Sequence, residues 1–312
     1  MATEGRGRRV ALALGAGGAR GLAHIGVIEV LEERGYQVAA VAGSSMGALI
    51  GGIHAAGQLA AYRDWVETLQ RNDVLRLLDL TLGAPGLIRG ERVIATLKEL
   101  VGEHRIESLS IPFVAVATDL ATQREVWFQH GPLFDAIRAS IAIPMVFTPH
   151  VVNGRELVDG GLLAPLPLAA TRAFHCDAVI AVDLSARGER PVPPPPAPLP
   201  EAEMFDDEPE RRTSGWRQRV AAWFGVAAAP ETGATASASA AGGGLSGLLD
   251  LMSRSMDTMQ SQMTRLHLAQ DPPDLVIRIP RESASFYEFW RARELRELGR
   301  RIAAEALDAW PG

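Results

Sequence analysis

The sequence predicts an α/β fold of three layers, in which helices flank a mostly parallel central sheet. An apolar run at 9–14 leads through a glycine loop into a segment with helical spacing at 21–34. A second apolar run at 38–42 leads through another glycine turn into a helix from Ala48 onward. The repeated order of strand, turn and helix is typical of parallel strands connected by covering helices.

The elements follow in chain order. In the first helix, Leu22, Ile25, Ile28 and Leu31 recur every three residues on one face, and Gly35 marks its end. Later apolar runs predict further strands and a closing helix. The strands are expected at 112–118, 125–129, 146–152, 178–182 and 275–279, and the helix at 285–309. A further short strand is expected to end at Val158. Pro149 weakens the strand at 146–152 or places it at a sheet edge.

Composition excludes several classes of protein. The chain has 312 residues, 47% of them apolar and 22% charged, which suits a globular protein with a sizeable core. Its 31 basic and 37 acidic residues give a net charge of −6, so no nucleic-acid partner is expected. The single cysteine, Cys176, can form no internal disulfide and no multi-cysteine zinc site. We predict no cofactor, no metal and a cytoplasmic location.

Two stretches share features with membrane or signal segments. The weakly polar run at 38–60 contains five glycines together with Ser44 and His54, and is interpreted as strand, turn and helix. The basic start of the chain is interpreted as a tail before the first strand. No segment is expected to export or anchor the protein, and peripheral membrane contact is left open.

A change of composition marks an insertion at 186–244. Seven prolines lie between 191 and 200, acidic residues follow, and 232–244 is nearly all Ala, Gly, Ser and Thr. Such segments bury too little apolar surface to offset the entropy of ordering. We predict one catalytic domain over 1–312 that carries this disordered insertion.

Two apolar stretches border the insertion. At 245–266, leucines and methionines recur at helical spacing, and we favour a helix that packs this stripe on the core over a lid or membrane contact. At 215–225, tryptophans stand beside arginines, and both interpretations stay open there.

The sequence Gly43-Ser44-Ser45-Met46-Gly47 fits G-x-S-x-G between a strand and a helix. Small residues at Gly43 and Gly47 permit the sharp turn that exposes a nucleophilic Ser45 at the carboxyl end of a sheet. The same glycines could instead serve only the turn.

The loop from Gly15 to Gly21 follows the first strand and presents backbone N–H groups to an anion. A dinucleotide fingerprint, G-x-G-x-x-G, would need glycine where Arg20 stands, so an oxyanion hole fits better. A third motif, Asp159-Gly160-Gly161, follows a predicted strand and alone would indicate only a turn.

In this order, the three motifs resemble the active-site set of the patatin-like phospholipases. The segments at 87–92 and 139–144 also resemble bacterial members related to the neuropathy target esterase catalytic domain. The resemblance covers about 10–185 and, more weakly, 245 to the end.

The resemblance implies a patatin-like fold and a serine–aspartate dyad that cleaves phospholipid or lysophospholipid esters without a metal. Ser45 is the nucleophile and Asp159 its base. The resemblance also implies an oxyanion hole at Gly17, Gly18, Ala19 and Arg20, in which the amides of Gly17 and Gly18 are the main donors, with help from Ala19. Arg20 either positions an anionic head group or braces the loop.

Three alternatives remain at this stage. A Ser-His-Asp triad would recruit His175 or His267, although neither lies in a recognisable motif. A nucleotide-binding oxidoreductase is disfavoured by Arg20. A catalytically weak interaction protein would use the fold and the insertion to bind partners.

Overall fold

A computed structural model describes residues 7–77, 79, 88–186 and 244–311. The chain divides into two units, Met1–Gly188 with Leu249–Gly312, and Glu189–Leu248. The first unit holds the sheet and the candidate site. Nearly all of the predicted insertion at 186–244 lies outside the described residues, as does the whole stretch at 215–225. The prediction of one domain with a disordered insertion therefore stays a prediction.

The described strands form one sheet in the order β5-β6-β3-β2-β1-β7-β8, and β4 pairs with β3. Their bounds are β1 Arg9–Leu14, β2 Gln37–Ser44, β3 Phe113–Asp119, β4 Arg124–Phe128, β5 His150–Val152, β6 Arg155–Asp159, β7 Ala178–Ala186 and β8 Leu275–Pro280. The neighbours β3, β2, β1, β7 and β8 pair in parallel. Strands β4 and β6 pair antiparallel with β3, and β5 pairs antiparallel with β6. The predicted α/β fold with a mostly parallel sheet is confirmed.

The described helices are α1 Ala23–Glu33, α2 Met46–Ala55, α3 Leu59–Val66, α4 Arg71–Leu77, α5 Glu91–Val101, α6 Leu133–Ser140, α7 Gly244–Gln270 and α8 Ala292–Ala309. Helices α1, α2, α6 and α8 bury apolar side chains against one face of the sheet. Val10, Leu12 and Leu14 alternate along β1 toward this face, as the twofold period of a strand requires.

The opposite face of the sheet is lined by small side chains. Ala13 and Ala181 pack with Leu166 and Leu168 from the irregular segment that follows the Asp-Gly-Gly motif, and Leu268 of α7 joins this cluster. Because alanine fills little space, irregular backbone lies directly on the sheet. The outer layer on this side is therefore partly a loop.

Two predicted elements are shorter than expected. The strand at 146–152 is reduced to β5, because Pro149 precedes it and Met145 adopts a positive φ of 67°. The helix at 285–309 begins only at Ala292, after short 3-10 turns. The residues before it form a loop that reaches the candidate site.

The orientation of α7 contradicts in part our preference for a helix that packs its methionine stripe on the core, since Met256 and Met263 are only half-buried. Met259 is 54% exposed and Leu266 is 48% exposed, whereas Ser261 and Thr264 are buried. Helix α7 thus turns polar side chains toward the protein and part of its apolar stripe outward.

Candidate active site

The three motifs meet at the carboxyl edge of the sheet. Ser45 follows β2 directly, and the glycine loop follows the neighbouring β1. The antiparallel register places Asp159, the last residue of β6, opposite Ala117. That position is one residue beyond Val116, the partner of Ser44 on β2. The topology therefore brings Ser45 and Asp159 together across 114 residues of chain.

Ser45 occupies a strained turn. Its φ of 54° and ψ of −121° fall where residues other than glycine are rare. A Cβ atom at Gly43 would lie 2.3 Å from the Gly47 carbonyl oxygen, and one at Gly47 would lie 2.0 Å from the Leu14 carbonyl oxygen. Gly43 is thus required by a backbone contact within the turn, and Gly47 by the close approach of the turn to the end of β1.

Ser140 stabilises this turn from the side. The Ser45 amide donates to Ser140 Oγ at 2.9 Å, and Ser140 Oγ donates to the Val116 carbonyl at 2.6 Å. Two residues further on, the Ala142 carbonyl accepts the amide of Asp159 at 2.9 Å. The segment at 139–144 therefore supports both ends of the candidate dyad, a role that sequence reasoning did not identify.

Asp159 is buried and contacts the serine directly. Ser45 Oγ donates to Asp159 Oδ2 at 2.6 Å, and the Gly161 amide donates to Asp159 Oδ1 at 2.6 Å. Burial raises the pKa of Asp159 to about 6, although both hydrogen bonds act to lower it. A carboxyl group with this pKa is ionised at neutral pH and still accepts a proton readily.

Activity that depends on Asp159 as a base should therefore follow its ionisation. We expect kcat/KM for a soluble ester to rise about tenfold per pH unit below pH 6 and to level off above it, because only the carboxylate takes the Ser45 proton. A pH–rate profile measured at two temperatures tests this. A carboxyl limb barely moves with temperature, so a limb that shifts as an imidazole does would contradict Asp159 as the base.

Two residues of the glycine loop, Gly17 and Gly18, line the pocket. Within the described residues, the N–H groups of Gly17 and Gly18 have no hydrogen-bond partner. Gly18 has a φ of 56°, and a Cβ atom there would lie 2.5 Å from the Phe286 carbonyl oxygen. The Ala19 amide donates to that same carbonyl at 2.8 Å. It is therefore not free to bind an oxyanion, and the expectation that Ala19 helps to form the oxyanion hole is corrected.

Arg20 is buried, and its contacts favour bracing over head-group binding. Its Nε donates to the Gly17 carbonyl at 2.9 Å, its Nη1 to the Arg281 carbonyl at 3.2 Å and its Nη2 to Asp257 at 2.7 Å. The guanidinium is thus already paired with a carboxylate. An anionic head group would have to compete with Asp257 for it.

The Ser45 hydroxyl contacts the Asp159 carboxyl directly, with no histidine ring between the two groups in space. The described residues that line the pocket also include no histidine. His175 is exposed, and His267 Nδ1 lies 3.3 Å from the Leu166 carbonyl oxygen. His24 is buried beneath the glycine loop, where its Nε2 contacts the Gly15 carbonyl at 2.9 Å. This geometry favours the dyad over the triad. The described residues also contain no cluster of His, Cys, Asp or Glu side chains that could hold a metal ion.

The pocket has walls that sequence reasoning missed. Helix α7 contributes Met256, Asp257 and Gln260, and the loop before α8 contributes Phe286. A Cβ atom at Gly161 would lie 2.7 Å from Gln260 Nε2 and 2.8 Å from Ala16 Cβ, so the second glycine of the Asp-Gly-Gly motif leaves space for both side chains. The polar residues at 257, 260, 261 and 264 recur at helical spacing and so form a polar stripe on α7, separate from the apolar one. This polar stripe is the sequence signal that could have indicated which side of the helix meets the protein.

The fold is an α/β fold with a mostly parallel central sheet and flanking helices. The chain belongs to the patatin-like phospholipase family, whose model matches residues 12–172. This membership disfavours the oxidoreductase alternative.

Relatives from bacteria, yeast and humans support this assignment. An uncharacterized NTE family protein of Mycobacterium tuberculosis is 42% identical over 97% of this chain and 92% of its own length. Human patatin-like phospholipase domain-containing protein 6 is 32% identical over 59% of this chain and 14% of its own length. Lysophospholipase NTE1 of Saccharomyces cerevisiae is 30% identical over 59% of this chain and 11% of its own length.

Proposed function

We propose that this chain is a serine esterase that hydrolyses carboxylic esters of phospholipids or lysophospholipids through a Ser45–Asp159 dyad. The observation that carries the proposal is the hydrogen bond of 2.6 Å from Ser45 Oγ to the buried Asp159 carboxyl. A direct contact of this kind, between two residues that line one pocket, is what a nucleophile and its base require.

The chemistry proceeds in two acyl transfers. Ser45 Oγ attacks the ester carbonyl as its proton passes to Asp159, and the amides of Gly17 and Gly18 hold the resulting oxyanion. The intermediate collapses, the acyl group stays on Ser45, and Asp159 returns the proton to the departing alcohol. A water molecule then repeats the sequence, and a carboxylic acid leaves.

The pocket wall and the relatives support this substrate class. Ile143, Leu162 and Met256 line the pocket and suit an acyl chain. Family membership and the lysophospholipase name of the yeast relative point to a lipid ester.

Labelling with a fluorophosphonate tests the proposal. Ser45 Oγ attacks phosphorus, fluoride leaves and Asp159 takes the proton, so mass spectrometry should find the adduct on Ser45 and none after Asp159→Asn. An unlabelled, folded protein that also fails to hydrolyse short- and long-chain esters would favour the catalytically weak interaction protein.

We also propose peripheral contact of α7 with the lipid surface. None of the described helices is long and apolar enough to cross a bilayer. However, Leu251 and Met259 are exposed on α7, the helix that forms one wall of the pocket. Their burial in an interface would favour binding by the hydrophobic effect.

Substituting both residues with glutamine (Leu251→Gln, Met259→Gln) should lower hydrolysis of phospholipid vesicles about tenfold, since two apolar contacts with the lipid are lost. Hydrolysis of a soluble short-chain ester should change less than about twofold. Val151→Gln, at an exposed position on β5, is the control. Equal losses on both substrates would contradict the membrane contact.

A further inference from the structure

The ion pair between α7 and the glycine loop has no assigned role. Asp257 Oδ1 lies 2.7 Å from Arg20 Nη2, and the Arg20 side chain is 4% exposed. Resting on the proposed esterase function, we propose that Asp257 is a positioning residue, which acts through Arg20 to aim the Gly18 amide at the oxyanion.

The first step of the argument is the geometry of one peptide group. The Gly17 carbonyl and the Gly18 N–H belong to the same planar trans peptide and point in opposite directions. Arg20 Nε donates to that carbonyl at 2.9 Å. Because Arg20 fixes the direction of the oxygen, it also fixes the direction of the N–H group.

The second step is that this peptide needs an external constraint. Both of its residues are glycines, which rotate about φ and ψ at low cost, and Gly18 already has a positive φ. An oxyanion donor stabilises the transition state only if it is oriented before the charge develops. A hydrogen bond from a rigid guanidinium supplies that orientation.

The third step is that Arg20 itself must be held. A buried guanidinium requires a counter-charge, and a charge-assisted hydrogen bond fixes its plane. Asp257 supplies that charge, and the Arg281 carbonyl accepts a further hydrogen bond at 3.2 Å. Asp257 also lines the pocket beside Met256 and Gln260, so the position of α7 and the oxyanion hole are linked.

The test compares substrate turnover with binding of an aliphatic trifluoromethyl ketone. Ser45 adds to this ketone to give a tetrahedral oxyanion, so its inhibition constant, Ki, reports on the oxyanion hole. We expect Asp257→Ala to lower kcat for a soluble ester about tenfold, to leave KM within about twofold and to raise Ki by the same factor as kcat/KM falls.

The matched control is Asp271→Ala. Asp271 also pairs with an arginine, Arg172, and its side chain is 26% exposed, against 27% for Asp257. This control should leave kcat and Ki unchanged. Asp257→Asn keeps the hydrogen-bond acceptor and guards against unfolding of the alanine variant. It should lower kcat/KM about threefold with an equal rise in Ki.

The outcomes separate this inference from the esterase proposal. If the unaltered protein shows neither fluorophosphonate labelling nor ester hydrolysis, the proposed function fails. Two results with an active protein would overturn the inference and leave Asp257 with only a structural role. In the first, kcat/KM falls in the Asp257 variants but Ki does not rise. In the second, neither kcat/KM nor Ki changes.

Discussion

Replacing Ser45 with alanine is expected to abolish ester hydrolysis, with a loss of about 10⁴-fold or more in kcat. The substitution removes the Oγ atom that attacks the ester and that donates to Asp159 at 2.6 Å. The Ser45 amide keeps its hydrogen bond to Ser140 Oγ, so the turn should retain its shape. Ester turnover and circular dichroism on the same sample test both parts of this expectation.

Ser44→Ala is the matched control, because the neighbouring serine has the same side chain without the same access. Ser44 Oγ is buried, and within the described part of the chain it has no hydrogen-bond partner. Its removal should leave activity within a few fold of the unaltered protein. Activity above about 1% in Ser45→Ala would exclude Ser45 as the nucleophile, whatever the control shows.

The sequence could predict those parts of the site that depend on backbone geometry. Gly43 and Gly47 are needed because any Cβ atom would collide with neighbouring carbonyl groups. Such requirements leave fixed spacings in the sequence. The elements β1, β2 and β7 were likewise predictable, since their apolar runs are buried.

The orientation of α7 could not be read from its apolar stripe. Helical spacing shows that a stripe exists but does not show which side meets the protein. Here Asp257 accepts a hydrogen bond from buried Arg20, and the Gln260 side chain lies next to Gly161. These contacts of polar side chains with the site depend on distant residues, so no periodicity within the helix could indicate them.

The correction at Ala19 has the same origin. Its amide is occupied by the Phe286 carbonyl, which reaches the site because the last helix begins later than its periodicity suggests. Contacts between residues 267 positions apart leave no local pattern in a single sequence. Of the two amides that remain, on Gly17 and Gly18, the Gly18 amide belongs to the peptide whose carbonyl accepts a hydrogen bond from Arg20.

Asp159→Asn is expected to reduce hydrolysis to a similar degree as Ser45→Ala while making the folded protein more stable at neutral pH. Burial raises the pKa of Asp159 to about 6, against an ordinary value near 4. Above pH 6 the Asp159 side chain is ionised in the folded protein, where its carboxylate is less stable than it is in the unfolded chain. That ionisation costs at most about 3 kcal/mol of unfolding free energy, and asparagine avoids it.

The pH dependence gives this expectation its sign. Below about pH 4 the carboxyl group is protonated in both states, so the advantage of Asp159→Asn should vanish there and grow as the pH rises to 6. Thermal unfolding at pH 4, 6 and 8 measures this difference in Tm. Asp308→Asn provides the opposite control, because its partner Arg34 lowers the pKa of Asp308, so that the variant should be slightly less stable at neutral pH. A difference in Tm that is the same at every pH would show that the buried carboxylate does not strain the fold, and would remove the physical basis for treating Asp159 as a tuned base.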